Sequence, residues 1–202
     1  PVVGVEDYVE GFTVMQPVAD YVTINISCPN AHGGLAFTDA KLLDSLLSKI
    51  DPLKTKPLFL KMAPDLSKAE MDELLKVCDK HKVDGLILTN LTKKRNLPNI
   101  VGDELEGLDK GGVSGKALRD MSDETLKYVY RKTKGKYVLV GCGGIFTAED
   151  AYRKIRLGAS LLQLITSMIF EGPTVVKEIN SGLVKLLEKD GFKNISEAVG
   201  VD

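Results

Sequence analysis

The sequence has little net charge, few cysteines and no long apolar run, and each shortage removes a class of function. Lys and Arg number 27 against 28 Asp and Glu, a formal charge of -1 over 202 residues, so no global field draws the chain to nucleic acid or an anionic membrane. Three cysteines, Cys28, Cys78 and Cys142, are too few and too scattered for a disulfide framework or a zinc site. All three are expected to be free thiols in a reducing compartment. The longest apolar stretch, residues 159–170, carries Gln163, Thr166 and Ser167 and is too short to span a bilayer. No signal or transit peptide is visible, and a chain opening on Pro1 rather than Met reads as a piece of something longer.

What is there is the composition of an ordinary α/β domain, 44% hydrophobic and 27% charged, with length enough for one sizeable core. Residues 6–15 have helical composition, and Pro17 closes them before a strand over 21–27. Thr38 is expected to cap a helix from Asp39 to Ile50, whose Leu42, Leu43, Leu46, Leu47 and Ile50 recur at helical spacing. Leu58 to Met62 reads as the next strand, and Ser67 with Glu70 as a capping box opening a helix to Lys80. A third strand spans Gly85 to Thr89. The polar, Gly-bearing stretch from there to Lys116 is too long for an ordinary connection, and such loops are usually functional. Ser122 is expected to cap a helix from Asp123 to Thr133. A strand over 137–140 then leads to Thr147, capping Ala148 to Leu157, with Gly158 at the left-handed position. Ser160 to Ile165 is a fifth strand, and Pro173 starts a last helix to Lys189.

Five strands alternating with helices at short spacing imply a parallel sheet. Two architectures fit: an open doubly wound sheet, or the last five units of a (β/α)8 barrel. The dinucleotide fingerprint G-x-G-x-x-G is missing after the first strand, and each strand end carries its own polar group, which favours the barrel. The whole chain then reads as one domain, residues 1–202 forming the carboxyl-terminal portion of that barrel.

The chemistry gathers past the strand ends. Tyr21 to Gly34, YVTINISCPNAHGG, runs from a β-rich stretch into polar and nucleophilic groups, at the edge where parallel α/β folds bind ligands. Asn25, Asn30 and Asn90 lie at such ends and suit a planar, amide-rich ligand, although single asparagines there are often turn formers. Lys61 lies inside a buried strand, so it is either an edge lysine or a fixed cation beside a group that becomes anionic. Cys28 is the one cysteine in a loop crowded with polar partners, a candidate base or nucleophile, whereas most such thiols are inert. Gly143 and Gly144 before the Thr147 cap are expected to suit a phosphate; a Gly-rich turn alone is a weak signal, but it is seconded by the glycines of 111–115 and by Thr166-Ser167 just past the last strand.

The motifs NISCPN, LKMAPDL, GLILTN, GGVSGKALRD, VGCGGI and GASLLQL, in this order and spacing, resemble the dihydroorotate dehydrogenase family over essentially the whole chain. The resemblance implies an FMN-containing (β/α)8 barrel that oxidises dihydroorotate to orotate in pyrimidine synthesis. It implies that Asn25, Asn30 and Asn90 bind the pyrimidine and that Cys28 is the catalytic base. Asn25, Lys61, Thr89, Ser114 and Gly115 would line the flavin. Gly143, Gly144, Leu164, Ile165 and Thr166 would hold its phosphate region. GGVSGKALRD and GASLLQL resemble the membrane-associated, quinone-reducing class, whose base is normally serine, while cysteine is the habit of the soluble class. Leu91 stands where the family usually has threonine, and Ile165 replaces an aromatic.

The same resemblance implies quinone as electron acceptor and the mitochondrial inner membrane as location, reached through a segment N-terminal to Pro1. Nucleic acid is not among the expected partners, and no metal is expected. Two alternatives stand: a soluble-class flavin barrel using fumarate or NAD, and a flavin- or orotate-binding fragment without turnover.

Overall fold

The computed structural model describes residues 4–27, 37–98, 100, 107 and 111–202. One parallel sheet runs through them in sequential order: β1 (Val22–Asn25), β2 (Leu58–Met62), β3 (Gly85–Leu88), β4 (Val138–Cys142) and β5 (Leu161–Gln163). Helices alternate with the strands: α1 (Val5–Met15), α2 (Ala40–Ile50), α3 (Lys68–Lys80), α4 (Arg119–Thr133), α5 (Ala148–Arg156), α6 (Thr166–Glu171) and α7 (Val175–Asp190).

The order of the strands decides between the two architectures. A doubly wound sheet reverses its order at a switch point and carries helices on both faces. A strictly sequential parallel order, with crossovers of the usual right hand, puts every helix on one face and curls the sheet into a barrel wall. The burial agrees. Leu58, Leu60 and Met62 of β2, Leu86 and Leu88 of β3 and Leu139 of β4 join the helix residues in one core. The alternate positions Phe59, Ile87 and Val140 form a separate cluster with Cys142 and no helix residue.

Helices α2 and α3 bury Leu43, Leu46, Leu47 and Ile50, and Met71, Leu74, Leu75 and Cys78, against the sheet. Fully burying one such side chain is worth roughly 1.5–3 kcal/mol and a helix cap about 1 kcal/mol, so the inward stripes hold these helices in place and the caps set where they begin. The Ser67–Glu70 capping box forms as expected. Thr38 does not cap α2; the Asp39 carboxylate does, accepting from the Lys41 and Leu42 N–H groups, because a carboxylate one residue on reaches both donors. Ser122 caps nothing either. A 3-10 turn over Gly115–Leu118 leads directly into α4 at Arg119, which leaves Ser122 inside the helix and fully buried. The fifth strand, expected to run to Ile165, stops at Gln163, and a further helix not expected from the sequence, α6, begins at Thr166.

Edge strands β1 and β5 each have one strand neighbour, and large apolar groups beside them are open, with Tyr21 49%, Leu161 56% and Ile165 62% exposed. Among the described residues no helix is long and apolar enough to cross a membrane.

Cys78 and Cys142 are free thiols, and Cys28 lies outside the described residues. Burial pushes the Cys78 thiol from 9.0 up to about 12. The folded state therefore holds this proton more tightly than the unfolded one, and stability falls as pH rises from 9.0 toward about 12. With Cys78 as the sole cysteine, a maleimide at about pH 8 is expected to label the unfolded protein and spare the native one. Native labelling at the unfolded rate would contradict this burial.

Candidate active site

A cavity of about 170 Å3 opens at the carboxyl ends of β2 to β5, walled by Lys61, Thr89, Cys142, the 143–146 turn and residues 164–167. Lys61 enters it because β2 alternates: Leu60 and Met62 face the helices, which turns Lys61 to the inner face. Its backbone pairs in register with Asn25 on one side and Ile87 on the other. Among the described residues no hydrogen bond or ion pair engages its ammonium, and no acidic side chain lines the cavity. Its charge draws the half-buried Cys142 thiol downward, against burial, which dominates and raises it.

Beside Lys61 stands a small amide cluster. Asn90 Nδ2 donates to Asn25 Oδ1 at 3.3 Å and to Ser27 Oγ at 3.0 Å, and Ser27 Oγ donates to Asn25 Oδ1 at 2.9 Å. The Leu91 N–H fixes the other end of the Asn90 amide, donating to its Oδ1 at 2.9 Å. The chain beyond is strapped down in turn: Thr92 donates to the Asp65 carboxylate, and Thr92 and Val113 exchange backbone bonds of 3.0 and 2.8 Å. The long loop therefore has a rigid base directly beside Asn90.

The strand ends are held by one carbonyl. Cys142 O accepts from the Thr89 N–H at 2.8 Å and from Ser122 Oγ at 2.7 Å. Ser122 receives in turn from Lys154 Nζ at 2.9 Å, and Lys154 donates to Asp123 Oδ1 at 2.6 Å. Lys154 is 1% exposed, so burial pulls its pKa down while Asp123 pushes it back up. On the far side Arg119 donates to Gly144 O and to Asp150, whose carboxylate also accepts the Phe146 and Thr147 N–H groups.

The two turn glycines also have a packing reason. Gly143 and Gly144 have φ of +121 and +71, and a Cβ on Gly144 would lie 2.5–2.7 Å from the Cβ and Cα of Arg119. Glycine is needed there for backbone sign and for the approach of α4, while the turn's open side forms cavity wall. Gly115, φ +78, lets the loop come within contact of Thr166, whose Oγ1 is 3.0 Å from Ser114 Oγ.

Of the residues singled out from sequence, the structure brings Lys61, Thr89, Asn90, Ser114, Gly115, Gly143, Gly144, Leu164, Ile165 and Thr166 to the cavity. Asn25 reaches it through Asn90. Cys28 and Asn30 lie outside the described residues. Sequence reasoning missed Ser122 and Lys154, which lie far from each other in the chain, and Phe146, whose ring closes one wall under the Lys116 ammonium at 4.7 Å.

Residues 2–187 match the sequence model of the family described as dihydroorotate dehydrogenase. The chain belongs to the dihydroorotate dehydrogenase family. It is 40% identical over 97% of its length to the mitochondrial dihydroorotate dehydrogenase (quinone) of Arabidopsis thaliana, covering 44% of that protein. Against dihydroorotate dehydrogenase (quinone) of Nostoc punctiforme the identity is 37%, covering 98% of this chain and 54% of that one. The crystal structure of the Eimeria tenella enzyme with ferulenol superposes with a TM-score of 0.90 at 32% identity, over all of this chain and 59% of that one. The chain thus spans about half the length of the curated relatives it matches.

Within the dihydroorotate dehydrogenase fold, the Lys154–Asp123–Ser122 cluster ties α5 and α4 to the ends of β3 and β4. Breaking a buried ion pair from one side strands the other charge, at about 3–5 kcal/mol. Asp123 keeps a second partner in Arg153 Nε at 2.9 Å, so the charge that can be stranded is that of Lys154, 1% exposed. Asp123→Asn is expected to lose stability on that scale in urea denaturation, and adding Lys154→Met to recover part of it. Strict additivity of the two would contradict the coupling.

Proposed function

We propose that this cavity is the carboxyl-terminal share of a flavin site at which dihydroorotate is oxidised to orotate, with quinone as the final acceptor, in pyrimidine synthesis. The observation that carries the reading is Lys61: a cation with no counter-ion among the described residues, facing a cavity without acidic groups, beside the paired amides of Asn25 and Asn90. Lys61 is half-buried, and a cation drawn partly out of water is costly unless something anionic meets it.

The residues present fit flavin mononucleotide. Neutral amides and Lys61 suit a polar ring system that gains negative charge, while Ser114, Thr166 and the 143–144 turn suit an anionic tail. The enclosed space of about 170 Å3 is below the usual 300–1,000 Å3 of a ligand site, as expected where further walls come from other strands. We place residues 1–202 within a single barrel domain on the same ground, since β1 and β5 leave two open edges.

Flavin mononucleotide held by these residues would supply the two-electron redox chemistry that the oxidation needs, with quinone as the final acceptor. Asn25, Asn30 and Asn90 orient the pyrimidine through uncharged hydrogen bonds. Cys28, just past β1, takes the proton from substrate C5 on its sulfur, and Lys61 holds positive charge where negative charge builds. Thr89, fixed by the Cys142 carbonyl, and Gly115, Leu164 and Ile165 shape the walls. The names of the plant relatives support a mitochondrial location. The inner membrane and a docking segment N-terminal to Pro1 belong to the same proposal.

Steady-state oxidation of dihydroorotate by the intact protein is expected with quinone and not with fumarate or NAD. A base of reference pKa about 8.5 makes the rate rise toward alkaline pH. Turnover with fumarate or NAD alone would move the protein to the soluble class.

Lys61→Ala is expected to slow flavin bleaching by dihydroorotate in stopped flow while the fold and flavin content persist, because the truncated side chain faced a cavity rather than packed core. An unchanged bleaching rate in a flavin-loaded variant would remove Lys61 from the chemistry.

A further inference from the structure

The Ser167 hydroxyl is buried at 1% exposure and has no hydrogen-bond partner, alone among the buried side-chain polar atoms of the described residues. A donor left unpaired out of water costs more than a typical hydrogen bond contributes, and native proteins rarely leave one so. Ser167 also lines the cavity, beside Thr166 and the Ser114 hydroxyl bonded to it. The groups at this end can all donate: two further hydroxyls, already bonded to each other, the Gly143–Gly144 turn, and the Lys116 ammonium over the Phe146 ring. No carboxylate among the described residues faces it to act as acceptor.

An orphan donor among donors is complementary to an acceptor-rich anion. We propose that Ser167 donates to the phosphomonoester end of the bound flavin nucleotide, a contact peculiar to this side chain and additional to the backbone of the glycine turn. The proposal rests on the reading of the cavity as a flavin site. It also requires that the hydroxyl contribute nothing to the stability of the unliganded protein, since nothing pairs with it there.

Two probes separate the possibilities: flavin mononucleotide, and riboflavin, which has the same ring without the phosphate. Binding is read by quenching of flavin fluorescence in the intact protein, with thermal unfolding alongside. Ser167→Ala is expected to weaken FMN binding about tenfold, the worth of one hydrogen bond to a charged group, and to leave riboflavin binding unchanged. Unliganded, the variant is expected to melt no lower than wild type, and its stabilisation by FMN to be smaller. Equal weakening of both flavins, or a lowered melting point without ligand, would make Ser167 a packing residue and overturn the proposal. Unchanged FMN binding would mean that water satisfies the hydroxyl, and would overturn it too. A wild-type protein that binds neither flavin would overturn the flavin site itself, an outcome distinct from the others.

Discussion

The backbone carbonyl of Cys142 is the joint on which this site depends. It receives the Thr89 N–H from the end of β3 and the Ser122 hydroxyl from α4, and behind Ser122 stands the buried Lys154–Asp123 pair. Two helices and two strand ends are thus fixed to one another within a few bonds of the 143–144 turn. Charged hydrogen bonds in a dry interior are strong and directional, so such a cluster positions backbone to a degree that apolar packing does not. A ligand site whose polar groups must stay aligned needs that precision.

The sheet divides the labour between its faces. Towards the helices the strand positions of β2 and β3 are apolar and buried, with Val22 of β1 and Leu162 of β5 partly so, and that face supplies stability. Towards the inside the apolar cluster is small, Phe59, Ile87 and Val140, and it gives way at the carboxyl edge to Lys61, Cys142 and the amides. The same period-2 alternation that buries Leu60 and Met62 delivers Lys61 to the cavity. The cavity is built from positions that the core does not need, and the sheet is open at its edges, β1 and β5.

Local chemistry was legible from sequence and long-range pairing was not. The Ser67–Glu70 box could be read because both partners lie within one helical turn. Strands β2 and β3 were read to within a residue, since continuous apolar runs bounded by Gly and Pro leave little choice. Ser122 looked like a cap because serine usually is one; its burial depends on Lys154, 32 positions away. Lys154 itself sits among the buried Ala151 and Ile155 of α5, and a lysine there looks like surface charge until Asp123 is found opposite it. That Lys61, Asn90 and the glycine turn meet at one cavity was legible because all three lie at strand ends of a parallel sheet. The reason for Gly144 was not, because it lies in the approach of α4. Ser167 stood out as a polar residue in an apolar stretch, just past the last strand, but its missing partner could be seen only in three dimensions.

The claim at the centre of this account is that the cavity beside Lys61 brings a flavin and dihydroorotate together. Anaerobic titration of the purified intact protein with dihydroorotate, following flavin absorbance and orotate formation together, tests it most directly. The expected result is bound flavin that bleaches in step with the orotate produced, one for one. Flavin that stays oxidised in the presence of excess dihydroorotate, or a folded protein that carries no flavin, would contradict it.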